Sequence, residues 1–182
     1  MPLIKNGQIA EDTWQVVEVD APLPEQGDVV VPFERFLTEI DQIRMRSGRI
    51  GIAIENTVDP QDIAVHLDDL DLIALDFPAF TDGRAYSQAR QLRTKQGYTG
   101  ELRATGNVLA DQAGFLLQVG FDTFEVASDQ SLDVWNKAAN SMALAYQRGY
   151  GGTQKTRDKL QAARPLANAS NCPPVTEQTL AV

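Results

Sequence analysis

One cysteine and one histidine in 182 residues are the scarcest side chains of this sequence. Cys172 has no second cysteine to join, so the chain can form no internal disulfide. Iron–sulfur clusters need several Cys ligands, haem iron usually takes Cys or His, and structural zinc takes Cys/His sets, so none of these has a ligand set here. His66, between Val65 and Leu67 in a helical pattern, reads as structural. CxxC, GxGxxG, P-loop and GxSxG patterns are all absent, and Ser87 has no His near it in the sequence. The carboxylates Asp68, Asp69 and Asp71 follow a helical pattern and read as a solvated loop. No apolar run approaches the ~20 residues that cross a bilayer. The MPLIK start lacks the charged-then-apolar order of a secretory leader. The expectation is a cytoplasmic protein with no membrane segment, no metal, no cofactor and no catalytic residue announced by a motif.

What is present is an ordinary globular composition, 43% hydrophobic, at a length that fits one domain. The formal charge is −9. From residue 151 onward Lys155, Arg157, Lys159 and Arg164 stand against Asp158 and Glu177, a net of +2, which leaves −11 on the residues before them. A body this acidic repels phosphate backbones, which argues against nucleic acid as a partner.

Apolar periodicity and turn residues predict an α/β fold. A β-hairpin spans Leu3–Val19, with Asn6-Gly7 or Glu11-Asp12 at its turn. Val29–Val31 is a short strand, and Phe33, Phe36, Leu37 and Ile40 recur at helical spacing after it. Strands at Arg49–Ile54, Leu72–Asp76, Gly100–Thr105 and Thr123–Val126 then alternate with helices at Pro60–Leu70, Gly83–Gln96, Ala110–Val119 and Leu132–Gln147. This is a mostly parallel sheet of about four βα units, either open or a partial barrel, since a complete eight-stranded barrel takes ~250 residues. Residues 1–149 form the single domain. Residues 150–182 lose periodicity and read as a mobile tail.

Ligands of open parallel sheets bind beyond the carboxyl ends of the strands. Four segments fall there: Glu55-Asn56, Asp76 to Arg84, Arg103 to Asp111, and Ser128-Asp129. Thr81 or Asp82 can cap the helix that follows. Arg84 then sits in the first helical turn, where the helix dipole disfavours a cation unless an anion offsets it. Arg103 ends the next strand, and Ser87 and Asn107 stand nearby with further donors. Arg84, Arg103, Ser87 and Asn107 are the candidate anion-binding residues, supported by Asp76, Asp82, Tyr86, Arg90 and Asp111. Guanidinium groups match carboxylate, phosphate and sulfur oxyanions. The same arginines equally suit a structural network with Asp76, Asp82 or Asp111, with Arg90 and Arg93 as solvated helix positions. Tyr86 and Tyr98 suit packing at element ends.

The segments FPAFTDGRAYSQARQLR and GYTGELRATGNVLADQ, then GFDTFEV, carry a resemblance that extends more loosely to the start MPLIKNGQI. They resemble the core of an uncharacterised bacterial family labelled "oxidoreductase probably involved in sulfite reduction". The resemblance implies a place in assimilatory sulfite reduction. That reduction moves several electrons through metal and tetrapyrrole cofactors, for which this chain has no ligands, so the implied role is accessory. The chain would bind the sulfite reductase haemoprotein, or a small oxyanion, through the Arg-rich edge. The alternative is a small cytosolic enzyme acting on an anionic metabolite, with Asp76 or Asp111 as base and the arginines as clamp.

Overall fold

The computed structural model describes residues 2–127 and 131–141. It begins with the hairpin β1 (Leu3–Lys5) and β2 (Gln8–Ala10). Asn6 and Gly7 take φ values of 52° and 76°, the left-handed pair that lets a two-residue loop follow the twist of its strands. The rest of the expected hairpin does not join it. Residues 11–14 cross the sheet, and β3 (Gln15–Val16) pairs in parallel with β4 (Val29–Pro32) at the opposite edge. The cause is Trp14, which buries its indole against Val30, Leu72 and Ala74 on the sheet's face. A hairpin continued past residue 10 would have left that ring in water.

From β4 the chain alternates. α1 (Phe33–Thr38) and α2 (Ile40–Arg44) precede β5 (Ile50–Ile54), and α3 (Pro60–Ile63) precedes β6 (Leu72–Phe77). α4 (Arg84–Thr94) leads to β7 (Glu101–Gly106), α5 (Ala113–Val119) to β8 (Thr123–Glu125), and α6 (Leu132–Ser141) closes the described chain. The expected helix at Pro60–Leu70 is shorter than its sequence pattern, because residues 64–69 tighten into a 3₁₀ turn. Asp59 caps α3 by accepting from the Gln61 amide, with Pro60 in the first turn, where its missing N–H costs nothing. The predicted tail and the last residues of the predicted helix Leu132–Gln147 lie outside the described residues.

The strands form one mixed eight-stranded sheet in the order β2-β1-β8-β7-β6-β5-β4-β3. Five neighbouring pairs from β3 to β8 are parallel, and β1 is antiparallel to both β2 and β8. The sheet is open and curled, a half-barrel. This corrects the expected four βα units in two ways: the parallel run starts earlier, at β3, and the hairpin closes the other side in antiparallel sense.

Period-two alternation sorts the side chains. Ile52, Ile54, Ile73, Leu75, Phe77, Leu102 and Ala104 face the helices and form the main core with Phe36, Ile43, Ala85, Ala89, Leu92 and Leu116. Gly51 and the small Ala53 and Ala74 face the other, concave side. A side chain at Gly51 would come within 3.2 Å of both Trp14 and Leu72, so the indole fits only because that position is bare. His66 lies edge-on to Phe36 at 5.4 Å between ring centres.

Candidate functional site

Register puts Lys5, Thr123, Arg103 and Ala74 in one row across the concave face, since each is the direct neighbour of the next. Glu101 lies one inward step below Arg103 on β7. Arg103 is 1% exposed, and its guanidinium meets three carboxylates: Asp12 at 2.8 Å, Glu101 at 3.2 Å and Glu125 at 3.6 Å. Glu101 also accepts from Lys5 at 2.8 Å and Thr123 at 2.9 Å. Burial opposes the charge on Glu101, yet hydrogen bonds from Lys5, Thr123 and Arg103 outweigh it and hold the carboxyl below its ordinary range. Arg103 therefore does not end its strand at the carboxyl edge as expected. It sits mid-strand, pinned beneath the crossing segment by Asp12. Two cations against three carboxylates leave no field for an added anion.

Arg84 is placed differently. It opens α4, and its guanidinium grips its neighbour Asp82, Nε to Oδ1 at 3.0 Å and Nη2 to Oδ2 at 2.7 Å, with the side chain mostly in solvent. The Asp82 carboxylate also accepts the Arg84 amide at 3.2 Å and the Asn56 side chain at 2.8 Å. The Arg84 side chain, with the backbone amide and Asn56, draws the Asp82 carboxyl down to about 2. The unfavourable cation at a helix start is thus offset from within the loop.

The other candidates scatter along the same edge. Asn107 donates to Pro78 O at 2.7 Å, with its amide on Phe77 O at 2.8 Å, which ties the loop after β7 to the loop after β6. Ser87, Arg90 and Asp111 are exposed. Tyr86 is half-buried, edge-on to Phe77 at 5.0 Å and to Phe115 at 4.8 Å. Burial, then Asp111, raises its hydroxyl pKa. Asp76 stands one residue before the end of β6 on the concave side, and burial followed by the Glu55 charge pushes its carboxyl up. Arg93, read as a solvated position, is buried instead. It donates to Gly120 O, Tyr98 O and Gly100 O at 2.8–3.0 Å and pairs with Asp122 at 2.5 Å, stapling α4 to the loops before β7 and β8. Helical spacing alone put it beside Arg90, but its guanidinium reaches three carbonyls that no helix or strand satisfies. Ser128-Asp129, the fourth expected edge segment, lies outside the described residues. Among the described residues no three His, Cys, Asp or Glu side chains gather as a metal site would require.

The structure brings Asp76, Asp82, Arg84, Tyr86, Asn107 and Asp111 to one carboxyl edge, and leaves Arg103 on the concave face. Residues 51–156, more than half the chain, match the profile of a bacterial protein family of unknown function, DUF934. The chain belongs to this family. The matched span of this DUF934 member runs from β5 past α6 to residue 156 and so contains the whole carboxyl edge from Glu55 to Asp111. A comparison with curated proteins finds no match.

Sequence reasoning passed over the apolar part of this DUF934 edge. Phe80, between Pro78 and Gly83, is 59% exposed, and Leu109 and Phe115 are exposed as well. Gln112 links them, accepting from the Leu109 amide at 3.1 Å and donating to Phe80 O at 3.2 Å. A phenylalanine inside a Pro- and Gly-bounded turn was the signal available, because such a position offers no core to bury it. No helix among the described residues is long and apolar enough to cross a membrane.

Proposed function

We propose that this DUF934 protein is an accessory protein of assimilatory sulfite reduction. It docks on a protein partner through the loops at the carboxyl edge, and the sulfite reductase haemoprotein is the partner that the sequence resemblance implies. One observation carries this reading: the exposed Phe80 and Leu109, on loops cross-tied by Asn107 and Gln112, and the exposed Phe115 on the adjoining α5. Large apolar side chains held in water by a rigid frame, with Arg84 and Asp111 at the rim, have the make-up of an interface centre. Arg84 serves as a rim contact, able to exchange Asp82 for a carboxylate of the partner.

The oxyanion form of the reading is weaker, because Arg103 already meets three carboxylates and Arg84 is paired with Asp82. The enzymatic alternative has one observation on its side, the raised Asp76 carboxyl at the open end of the sheet, which suits a base. Its clamp is reduced to Arg84, since Arg103 is tied to carboxylates on the concave face.

The test is sedimentation of the full-length protein with purified sulfite reductase haemoprotein. The expected result is a complex that Phe80→Ser with Leu109→Ser weakens by roughly tenfold or more, as for central interface anchors. Absence of a complex, or a double variant that binds as well as the native protein, overturns the reading.

A further inference from the structure

The sheet stops at β3, and that edge opens directly onto the concave face. Gln15 N–H bonds Asp28 O and Val17 N–H bonds Val30 O, both at 2.9 Å. Backbone groups alternate along a strand, so the N–H and C=O of Val16 point away from β4, and among the described residues no strand follows β3 in the sheet. Beside this edge runs a groove of about 400 Å³, floored by Val30, Pro32 and Ala53 and walled by Val16 and Val19. Val16 is 65% and Val19 63% exposed. Glu18 and Asp20 stand at the rim. Arg35 donates to the backbone oxygen of Glu18 and spends its charge on Glu39. Among the described residues, neither rim carboxylate has an ion-pair partner.

Each observation restricts the occupant. An unpaired backbone edge accepts an extended chain, an apolar floor accepts alternate side chains of that chain, and two uncompensated carboxylates favour Lys or Arg between them. We propose that the β3 edge and its groove dock an extended segment of a partner protein, with alternating apolar and basic residues, which adds to the sheet beyond β3. A second copy of the chain does not fit. Its residues before 151 carry −11, and its own free edge, β2, runs into Glu11, which would meet Glu18 and Asp20. This surface is separate from the Phe80 loops and does not rest on the function proposed for them.

The experiment titrates full-length, isotope-labelled protein with acetyl-Lys-Val-Lys-Val-Lys-Val-Lys-amide and with the same peptide carrying Glu for Lys, read by amide NMR. The Lys peptide should give saturable shifts at Val16, Val17, Val19 and Ala53, and the Glu peptide none. Val16→Pro, which removes the outward N–H, should abolish those shifts. Glu18→Lys with Asp20→Lys, both on the surface, should weaken the Lys peptide by roughly tenfold or more; this variant decides the matter if Val16→Pro does not fold. The proposal is overturned by no saturable shift at these residues, by equal response to both peptides, by shifts confined to the Phe80–Phe115 loops, or by undiminished binding of the charge-reversed variant.

Discussion

Arg103 and Arg84 present the same guanidinium in opposite settings. Arg103 lies under the segment that crosses the half-barrel, 1% exposed, with three carboxylates from three parts of the chain around it. Arg84 holds one carboxylate two residues away and keeps its side chain in water. The first arrangement joins distant strands, so its loss is felt by the fold. The second joins a loop to itself, costs little to undo and leaves a cation free to change partners. Charge count alone made the two look like one site. Burial and the sequence distance of the partners divide them into a structural tie and an exposed contact.

The largest test of this division is Arg103→Gln. Removing the cation strands Asp12, Glu101 and Glu125 and should cost about 3–5 kcal/mol, as buried pairs broken from one side do, measured by urea unfolding. A cost near that of a surface change would mean the carboxylates relax into solvent and the network is not structural. Next comes Trp14→Ala, which empties the concave pocket that Gly51 leaves for the indole and should cost about 3–5 kcal/mol or slightly less. An unaffected melting temperature would show that the crossing segment is held by Asp12 alone.

The two regions should also respond oppositely to pH. The folded Glu101 carboxyl lies below its ordinary value of 4.5. Its stabilisation is complete above that pH and is lost as pH falls through the lower folded value. The folded Asp76 carboxyl lies above its ordinary value of 3.8. Its favourable contribution is complete below that pH and is lost as pH rises through the folded value. Asp76→Asn should therefore raise the melting temperature at pH 7 by a small amount, on the order of 1–3 °C where 1 kcal/mol moves a domain of this size by about 2–4 °C. Glu101→Gln should lower it, and should flatten the acid limb of the stability profile. A profile in which both substitutions act with the same sign would contradict the assignment of burial to one and hydrogen bonding to the other.

The smallest expected effect belongs to Arg84→Gln, within about 0.5 kcal/mol in stability, as for an exposed pair. Its informative readout is sulfate. If Asp82 satisfies the guanidinium, sulfate or sulfite should raise the melting temperature of native and variant protein equally. A rise specific to the native chain, lost in Arg84→Gln, would restore the small-oxyanion reading.

Much of the element order was legible in the residues. Asn6-Gly7 marked its turn, alternation marked β4 to β8, and Gly97 and Gly120 marked the ends of α4 and α5. The family resemblance covered the stretch that became the carboxyl edge. The path of residues 11–16 was not legible, because TWQVVEV alternates as any edge strand does. Its destination depends on where a space for Trp14 exists, and that space is made by Gly51 and by the small residues of β5 and β6. Arg93 was read as solvated, and Arg103 was placed at the end of its strand, for the same reason, since a guanidinium's partners lie across the fold.

By itself the sequence determined the local elements, the acidic charge, and the poverty of Cys and His. These follow from propensity, periodicity and composition, which act within a few residues or over the whole chain. Only the tertiary structure decided that the sheet is an open half-barrel with β3 at one edge, that Arg103 is sealed and Arg84 is not, and that Phe80, Leu109 and Phe115 share one exposed rim. Those outcomes depend on which faces meet when strands far apart in sequence pair, and no local preference encodes that.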